Sequence, residues 1–243
     1  MRAVYGVGGG GMIFVCPAFK AMPEAMLRYS RLYAGHTPPI VPAPAPEDGV
    51  VILDSGAFGA MKRGAPLRSG EIVKLRAHYE RVSARMDCVL IAPDVVDDPA
   101  QCMVNYRLWV DGGGPAIAPV FQFTGEMTMS EVVRQARFYA PFNPCAIAFV
   151  NLGWGAPVAR IRGVHEMVAT ARKITGCDWV HGLGYGWNLR DIDGWRRLGC
   201  FDSIDSISYY MHKSTRAWDG SEHETWQLAA LRNASLASEV ARR

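Results

Sequence analysis

Three apolar runs in this chain end in aspartate. Val50-Val51-Ile52-Leu53 leads into Asp54-Ser55-Gly56, Cys88-Val89-Leu90-Ile91-Ala92-Pro93 into Asp94, and Phe201-Asp202-Ser203-Ile204 into Asp205. An acid at the end of a buried run costs desolvation energy unless a surface loop relieves it, so one such position says little. Three on one plan predict carboxylates gathered on one rim. Two carboxylates facing each other across a bound sugar can perform a double displacement, one attacking the anomeric carbon while the other handles the proton of the leaving group. A third acid beside an amide can read a purine edge, because Asp accepts from N1–H and the exocyclic amine while Gln donates to O6. Asp54, Asp205, Asp94 and Gln122 supply those residue types, and the same composition is compatible with other barrel enzymes.

The elements that must carry these residues follow from periodicity. Apolar runs predict strands at Met12 to Cys16, Val50 to Asp54, Cys88 to Asp94, Ala116 to Gln122, Cys145 to Asn151, Trp179 to Gly184 and Ser203 to Tyr209. Helical spacing predicts helices over Ala18 to Ala34, Ser69 to Ala84 with Ser69 as cap, Pro99 to Val110, Ser130 to Tyr139, Pro157 to Ile174, Asn188 to Arg197 and Glu222 to Arg243. The proline-rich stretch from Thr37 to Gly49 reads as an extended connection. Strand and helix alternate every 30 to 40 residues or so, a βα rhythm that calls for a parallel sheet with helices outside it. Seven or eight such units favour a (β/α)8 TIM-type barrel spanning residues 1–243 as a single domain. No G-x-G-x-x-G lies on a strand-to-helix turn, and Gly8-Gly9-Gly10-Gly11 lacks the lysine of a phosphate loop. In a barrel the loops after the strands form the active face, so Asp54, Asp94, Gln122, Asn151, His181 and Asp205 would border one cavity.

Composition limits the alternatives. A chain of 243 residues with 49% hydrophobic residues can bury one large core, and a net charge of +3 neither diagnoses nor opposes a nucleic-acid partner. Its six cysteines show no C-x-x-C pair and several sit in apolar runs, which suits a reducing compartment. The sequence offers no export signal and no 18-residue apolar run, so a soluble protein of the cytoplasm, away from membranes, is the expectation.

Five short segments occur in an order that resembles the tRNA-guanine transglycosylase superfamily. They are D-S-G-A-F at 54–58, P-D at 93–94, P-V-F-Q at 119–122, H-G-L-G at 181–184 and S-I-D-S-I-S at 203–208, spread over about Val50 to Tyr210. The first and last look more like the DpdA-type 7-deazaguanine DNA transglycosylases of bacteria and phages. The resemblance implies base exchange through a covalent aspartyl-glycosyl intermediate, with no cofactor. Asp205 matches the nucleophile at C1′ of the target guanosine. Asp54 matches the general acid/base that lets guanine leave and strips the incoming 7-deazaguanine, such as preQ0, of its proton. Asp94 and Gln122 match the readers of the purine edge, and Phe58 an aromatic residue that stacks on the base. Ser55, Gly56, Asn151, Gly153, His181 and Gly182 fall among the segments that bind the base, with Gly56, Gly182 and Gly184 letting backbone approach it. A nucleotide within a duplex cannot reach such a cavity, so the DNA partner would present guanosine flipped out or single-stranded.

Other roles compete for several of these residues. Asp54 is also a natural N-cap, Gln122 could cap a barrel layer, His181 could be a satisfied interior histidine, and Phe58 could be core. Asp202 and Asp205 lie three apart, so on an extended strand only one faces the cavity; Asp205 is preferred for its S-x-D-S setting. The tRNA enzymes carry a C-x-C-x-x-C zinc site after the nucleophile, whereas this chain has no Cys beyond Cys200, so no structural metal is expected. Val150-Asn151-Leu152-Gly153 also stands where the relatives have a G-G-L segment. Lys62, Arg63 and Arg68 after Phe58, and Lys213 and Arg216 after Asp205, could hold phosphates between Trp187, Tyr209, Tyr210 and Trp218 as stacking surfaces. The expected activity is a DNA guanine transglycosylase. The alternatives are the same exchange on tRNA or a non-catalytic nucleic-acid-binding barrel subunit, and association as a homodimer is left open.

Overall fold

The computed structural model describes residues 13–17, 31–34, 51–57, 60, 64, 65, 67–122, 128–150, 163–184, 200–205, 216, 217 and 219–224, with single positions between 228 and 239. Eight strands form one sheet: β1 Ile13–Pro17, β2 Arg31–Ala34, β3 Val51–Asp54, β4 Val89–Leu90, β5 Val120–Phe121, β6 Ala146–Val150, β7 Trp179–Leu183 and β8 Ser203–Asp205. Their order is β4-β3-β2-β1-β8-β7-β6-β5, and every neighbouring pair is parallel. The chain is therefore a mixed α/β protein built on a parallel sheet. Parallel strands covered on both faces need apolar residues at consecutive positions rather than alternate ones. That is what Ile52-Leu53 and Ile147-Ala148-Phe149 provide, all with no exposed surface.

The two ends of the strand order meet. Ile91, just past β4, forms a parallel bridge with Ala118, just before β5. Ala118 N–H donates to Leu90 O at 2.7 Å and Ala92 N–H to Ala118 O at 2.9 Å. In a flat sheet seven spacings of about 4.8 Å would hold β4 and β5 more than ~30 Å apart, so the sheet curls strongly.

Helices α1 Ser69–Ser83, α2 Pro99–Asp111, α3 Met129–Tyr139 and α4 Val164–Thr175 follow β3, β4, β5 and β6 in turn. The start of α1 corrects the expected cap: Arg68 takes the position before the helix, and its N–H donates to Glu71 Oε2 at 2.8 Å. A glutamate three residues in can reach back in this way, which moves the cap one residue ahead of the serine. Asp98 caps α2 by accepting from Gln101 N–H at 2.9 Å, and Thr128 caps α3 by accepting from Glu131 N–H at 3.3 Å.

Two expected elements change. Arg31–Ala34 is strand rather than the end of a helix, because it finds ladder partners on both sides, β1 and β3. A helical pattern in the sequence does not outweigh two sets of inter-strand hydrogen bonds. Glu222 lies in an antiparallel bridge with Arg216 instead of opening the C-terminal helix, whose described helical positions run from 228 to 239. The glycine run at 8–11, the connection at 37–49 and the expected helix at 188–197 lie outside the described residues. Among the described residues no helix is long and apolar enough to cross a membrane. The five cysteines whose side chains are described are all free.

One side chain locks the strand ends that matter. Tyr79 of α1 is fully buried, with its hydroxyl 2.9 Å from Leu53 O and 2.8 Å from Ile91 O, so it ties β3 to the residue just past β4, directly before Asp54 and shortly before Asp94. Its ring packs edge-on against Trp109 of α2, with centroids 5.6 Å apart. Burial, with Asp54 and Asp94 nearby, holds the phenol well above its ordinary pKa, so it stays a donor. Tyr79→Phe keeps the packing and removes the hydroxyl from two buried carbonyls. The expected loss is about 1–3 kcal/mol in urea unfolding with an unchanged denaturant slope.

Candidate active site

Because all strands run in parallel, their C-terminal ends share one side, and the strand-ending residues are delivered there together. Asp54 ends β3, Asp94 follows β4, Gln122 follows β5 and Asp205 ends β8. Asp94 and Gln122 come from opposite ends of the strand order, yet Gln122 Nε2 donates to Asp94 Oδ2 at 2.7 Å. Ser55 Oγ donates to Asp94 Oδ1 at 2.6 Å. Each oxygen of Asp94 thus takes one side-chain donor, fewer than the lone pairs a carboxylate offers. Burial pushes the Asp94 carboxyl up, and the hydrogen bonds from Ser55 and Gln122 oppose that.

Ser55 and Gln122 themselves have no exposed surface, and each donates to Asp94. Gln122 is held in turn by a residue that the sequence reading missed. Gln135 of α3, also fully buried, accepts from Gln122 N–H at 3.3 Å and donates to Gln122 O at 2.7 Å. The only signal was a polar residue on the apolar side of a helix whose buried positions are Val132, Ala136 and Tyr139. Asp97, in the left-handed region at φ 60°, brings its N–H to Gln122 Oε1 at 3.4 Å.

Asp54 is partly buried at the head of a tight turn. Its carboxyl is pushed up to about 7, first by burial and then by Asp94, with Asp205 adding to the effect and the N–H groups of Gly56 and Ser55 opposing it. The fields of Asp94 and Asp205 both reach Asp54, so the three acids form one electrostatic group. Asp54 is also tied to the turn that follows it. Its Oδ2 accepts from Gly56 N–H at 3.2 Å, and Gly56 has φ +79°, a region that favours glycine.

Asp205 has a matching arrangement. Gly184, at φ +71°, donates its N–H to Asp205 Oδ1 at 2.8 Å. The sequence reading had these glycines opening room for a ligand; in the structure Gly56 and Gly184 each also hold an acid. Gly182 lies within β7, beside Ile204 of β8 and Phe149 of β6. His181 of β7 is fully buried, with Nδ1 2.7 Å from Ser203 Oγ and Nε2 3.3 Å from Asp205 Oδ1.

Asp202 goes elsewhere. It precedes β8, at the opposite end of the strand from Asp205, where its Oδ2 accepts from Val180 N–H at 2.6 Å and from Arg172 Nη2 of α4 at 2.5 Å. The alternative nucleophile is thereby a structural ion-pair partner facing a helix.

Arg216 is exposed and belongs to its own short hairpin, with Nε 3.7 Å from Glu222 Oε1 and donating to Gly220 O at 3.3 Å. Arg68 is exposed ahead of α1. Phe58, Lys62, Arg63, Asn151, Gly153, Trp187, Tyr209, Tyr210, Lys213 and Trp218 lie outside the described residues.

Three acids at one rim, one of them poised near neutrality, can divide the labour of acid and nucleophile. No protein-family model matches the chain, and a search of curated proteins gives no match.

Proposed function

We propose that the protein is a glycosyl-transferring enzyme that exchanges guanine in DNA for a 7-deazaguanine, on a parallel sheet closed as a (β/α)8 barrel. The bridge between Ile91 and Ala118, which joins the two ends of the strand order, supports the closure. One observation carries the chemistry: the Asp54 carboxyl, pushed up to about 7, lies within the field of Asp205, whose Oδ1 is held by a backbone N–H. A neutral acid beside a held carboxylate is the pair that double displacement at an anomeric carbon requires. The choice of guanine rests on Asp94, buried but with lone pairs left over, and on the order of the five segments from 54–58 to 203–208.

In the first step an oxygen of Asp205 bonds to C1′ as the C1′–N9 bond breaks. The electron pair leaves with guanine, which takes the proton of Asp54. In the second, the incoming 7-deazaguanine loses its N9 proton to Asp54 and bonds through N9 to C1′, and Asp205 departs as carboxylate. Atoms and charge balance without ATP or a redox partner. Asp94 addresses N1–H and the exocyclic amine of the base, and Gln122 contributes by keeping Asp94 in place.

The test is to mix the protein with radiolabelled guanine and either DNA or tRNA. Label is expected in DNA. Uptake by tRNA alone would replace the substrate, and uptake by neither would leave a binding protein without this activity.

A further inference from the structure

The chemistry proposed above leaves one feature beside Asp205 unused. His181 and Ser203 are register partners on β7 and β8, and both are fully buried. Ser203 Oγ accepts from Trp179 Nε1–H at 3.0 Å and lies 2.7 Å from His181 Nδ1. A buried hydroxyl that accepts one hydrogen bond must still place its own hydrogen, and Nδ1 is the acceptor beside it. The ring proton is then on Nε2. That nitrogen is buried, forms no hydrogen bond among the described residues, and has Asp205 Oδ1 3.3 Å away, off the line of a hydrogen bond. The reverse tautomer would set a bare nitrogen lone pair against a carboxylate oxygen, which is repulsive.

We infer that His181 is a positioning residue for Asp205, set in its tautomer by Ser203 and Trp179, and that it selects Oδ2 as the attacking atom. Both groups that face Asp205 among the described residues, Gly184 N–H and His181 Nε2, address Oδ1. Oδ2 is the oxygen left to bond to C1′. The inference rests on the glycosyl-transfer reading for its consequence but not for its geometry. When the Oδ2–C1′ bond breaks in the second displacement, negative charge returns to the carboxylate. A fixed imidazole N–H stabilises that charge by a small closing movement. The second displacement therefore depends on His181 more than the first.

Two substitutions separate positioning from packing. The amide nitrogen of Gln can reach the place of Nε2, whereas the amide of Asn reaches only the place of Nδ1, where its oxygen accepts from Ser203. His181→Asn is expected to lower kcat for exchange about 10- to 100-fold with little change in KM for DNA, and to raise the amount of covalent adduct at steady state. His181→Gln should restore most of the rate. Equal losses for the two variants, or losses that follow thermal stability alone, would overturn the assignment. A second measurement needs no activity: imidazole 15N shifts of the wild-type protein should show Nε2 protonated and Nδ1 bare, with Ser203→Ala disturbing that pattern. A protonated Nδ1 with a bare Nε2 would remove the inference even if exchange is active. Absence of exchange in the wild type, with the expected 15N pattern present, would instead remove the transglycosylase reading and leave the tautomer assignment standing.

Discussion

Asp205→Asn is expected to abolish the polymer-linked covalent adduct on denaturing gels and to lower base exchange by about 10^4-fold or more, since removal of a nucleophile leaves only binding and electrostatic contributions. The fold should be unaffected. The amide oxygen of the substituted side chain can still accept Gly184 N–H, which donates at 2.8 Å in the wild type. What the amide lacks is a lone pair nucleophilic enough to bond to C1′. DNA binding should therefore persist while the adduct disappears. If the adduct survives, Asp205 is not the attacking residue. Asp202 would not be the substitute, because its Oδ2 is held by Arg172 and Val180 N–H at the other end of β8.

Asp54→Asn should act on activity and stability in opposite directions. Without a proton to give to guanine or take from the incoming base, exchange is expected to fall about 10^2- to 10^4-fold. Stability follows from the carboxyl pKa, which rises from 3.8 in the unfolded chain to about 7 in the folded one, through burial first and Asp94 next. The folded state thus retains a proton that the unfolded chain gives up near pH 4. The associated stability is complete below pH 4 and is lost as pH rises through 7. A shift of this size corresponds to at most about 4 kcal/mol, less whatever the partial solvation of Asp54 returns. An amide cannot ionise, so the substituted protein escapes that loss. Urea unfolding at pH 5 and pH 9 should show the variant gaining on the wild type by a few kcal/mol at the higher pH. A constant difference between the two pH values would mean that Asp54 titrates normally, and its assignment as the acid would fail with it. By the same sign, the first step of exchange in the wild type should slow above pH 7 as Asp54 loses its proton.

Much of the scaffold was legible because burial leaves a local trace. Ile52-Leu53, Leu90-Ile91 and Ile147-Phe149 are apolar at successive positions, and the structure has them as fully or almost fully buried strands or bridges of a parallel sheet. Helices α2 to α4 carry their own punctuation in Asp98 and Pro99, Thr128, and Gly176, whereas α1 starts one residue after an arginine. The strand β2 was missed because Arg31–Ala34 is short and its identity depends on lying between β1 and β3, a fact no window of sequence contains. Tyr79 and Gln135 were missed for a related reason. Each occupies an ordinary helical position, and only its strand partners, Leu53 and Ile91 for one and Gln122 for the other, make it part of the site.

From sequence, then, come the acids at the strand ends and the parallel sheet that carries them, because an apolar run stopped by a carboxylate is a local signal of burial giving way to a rim. Which acids meet is a different matter. Asp94 touches Gln122 only because the sheet curls until β4 and β5 adjoin, and Asp54 rises toward neutrality through its own burial first, then through Asp94 beyond the neighbouring strand, with Asp205 of β8 adding to it. Electrostatic coupling depends on distance through space. Residues separated by scores of positions along the chain acquire such distances only when the strands are in register and the sheet has bent.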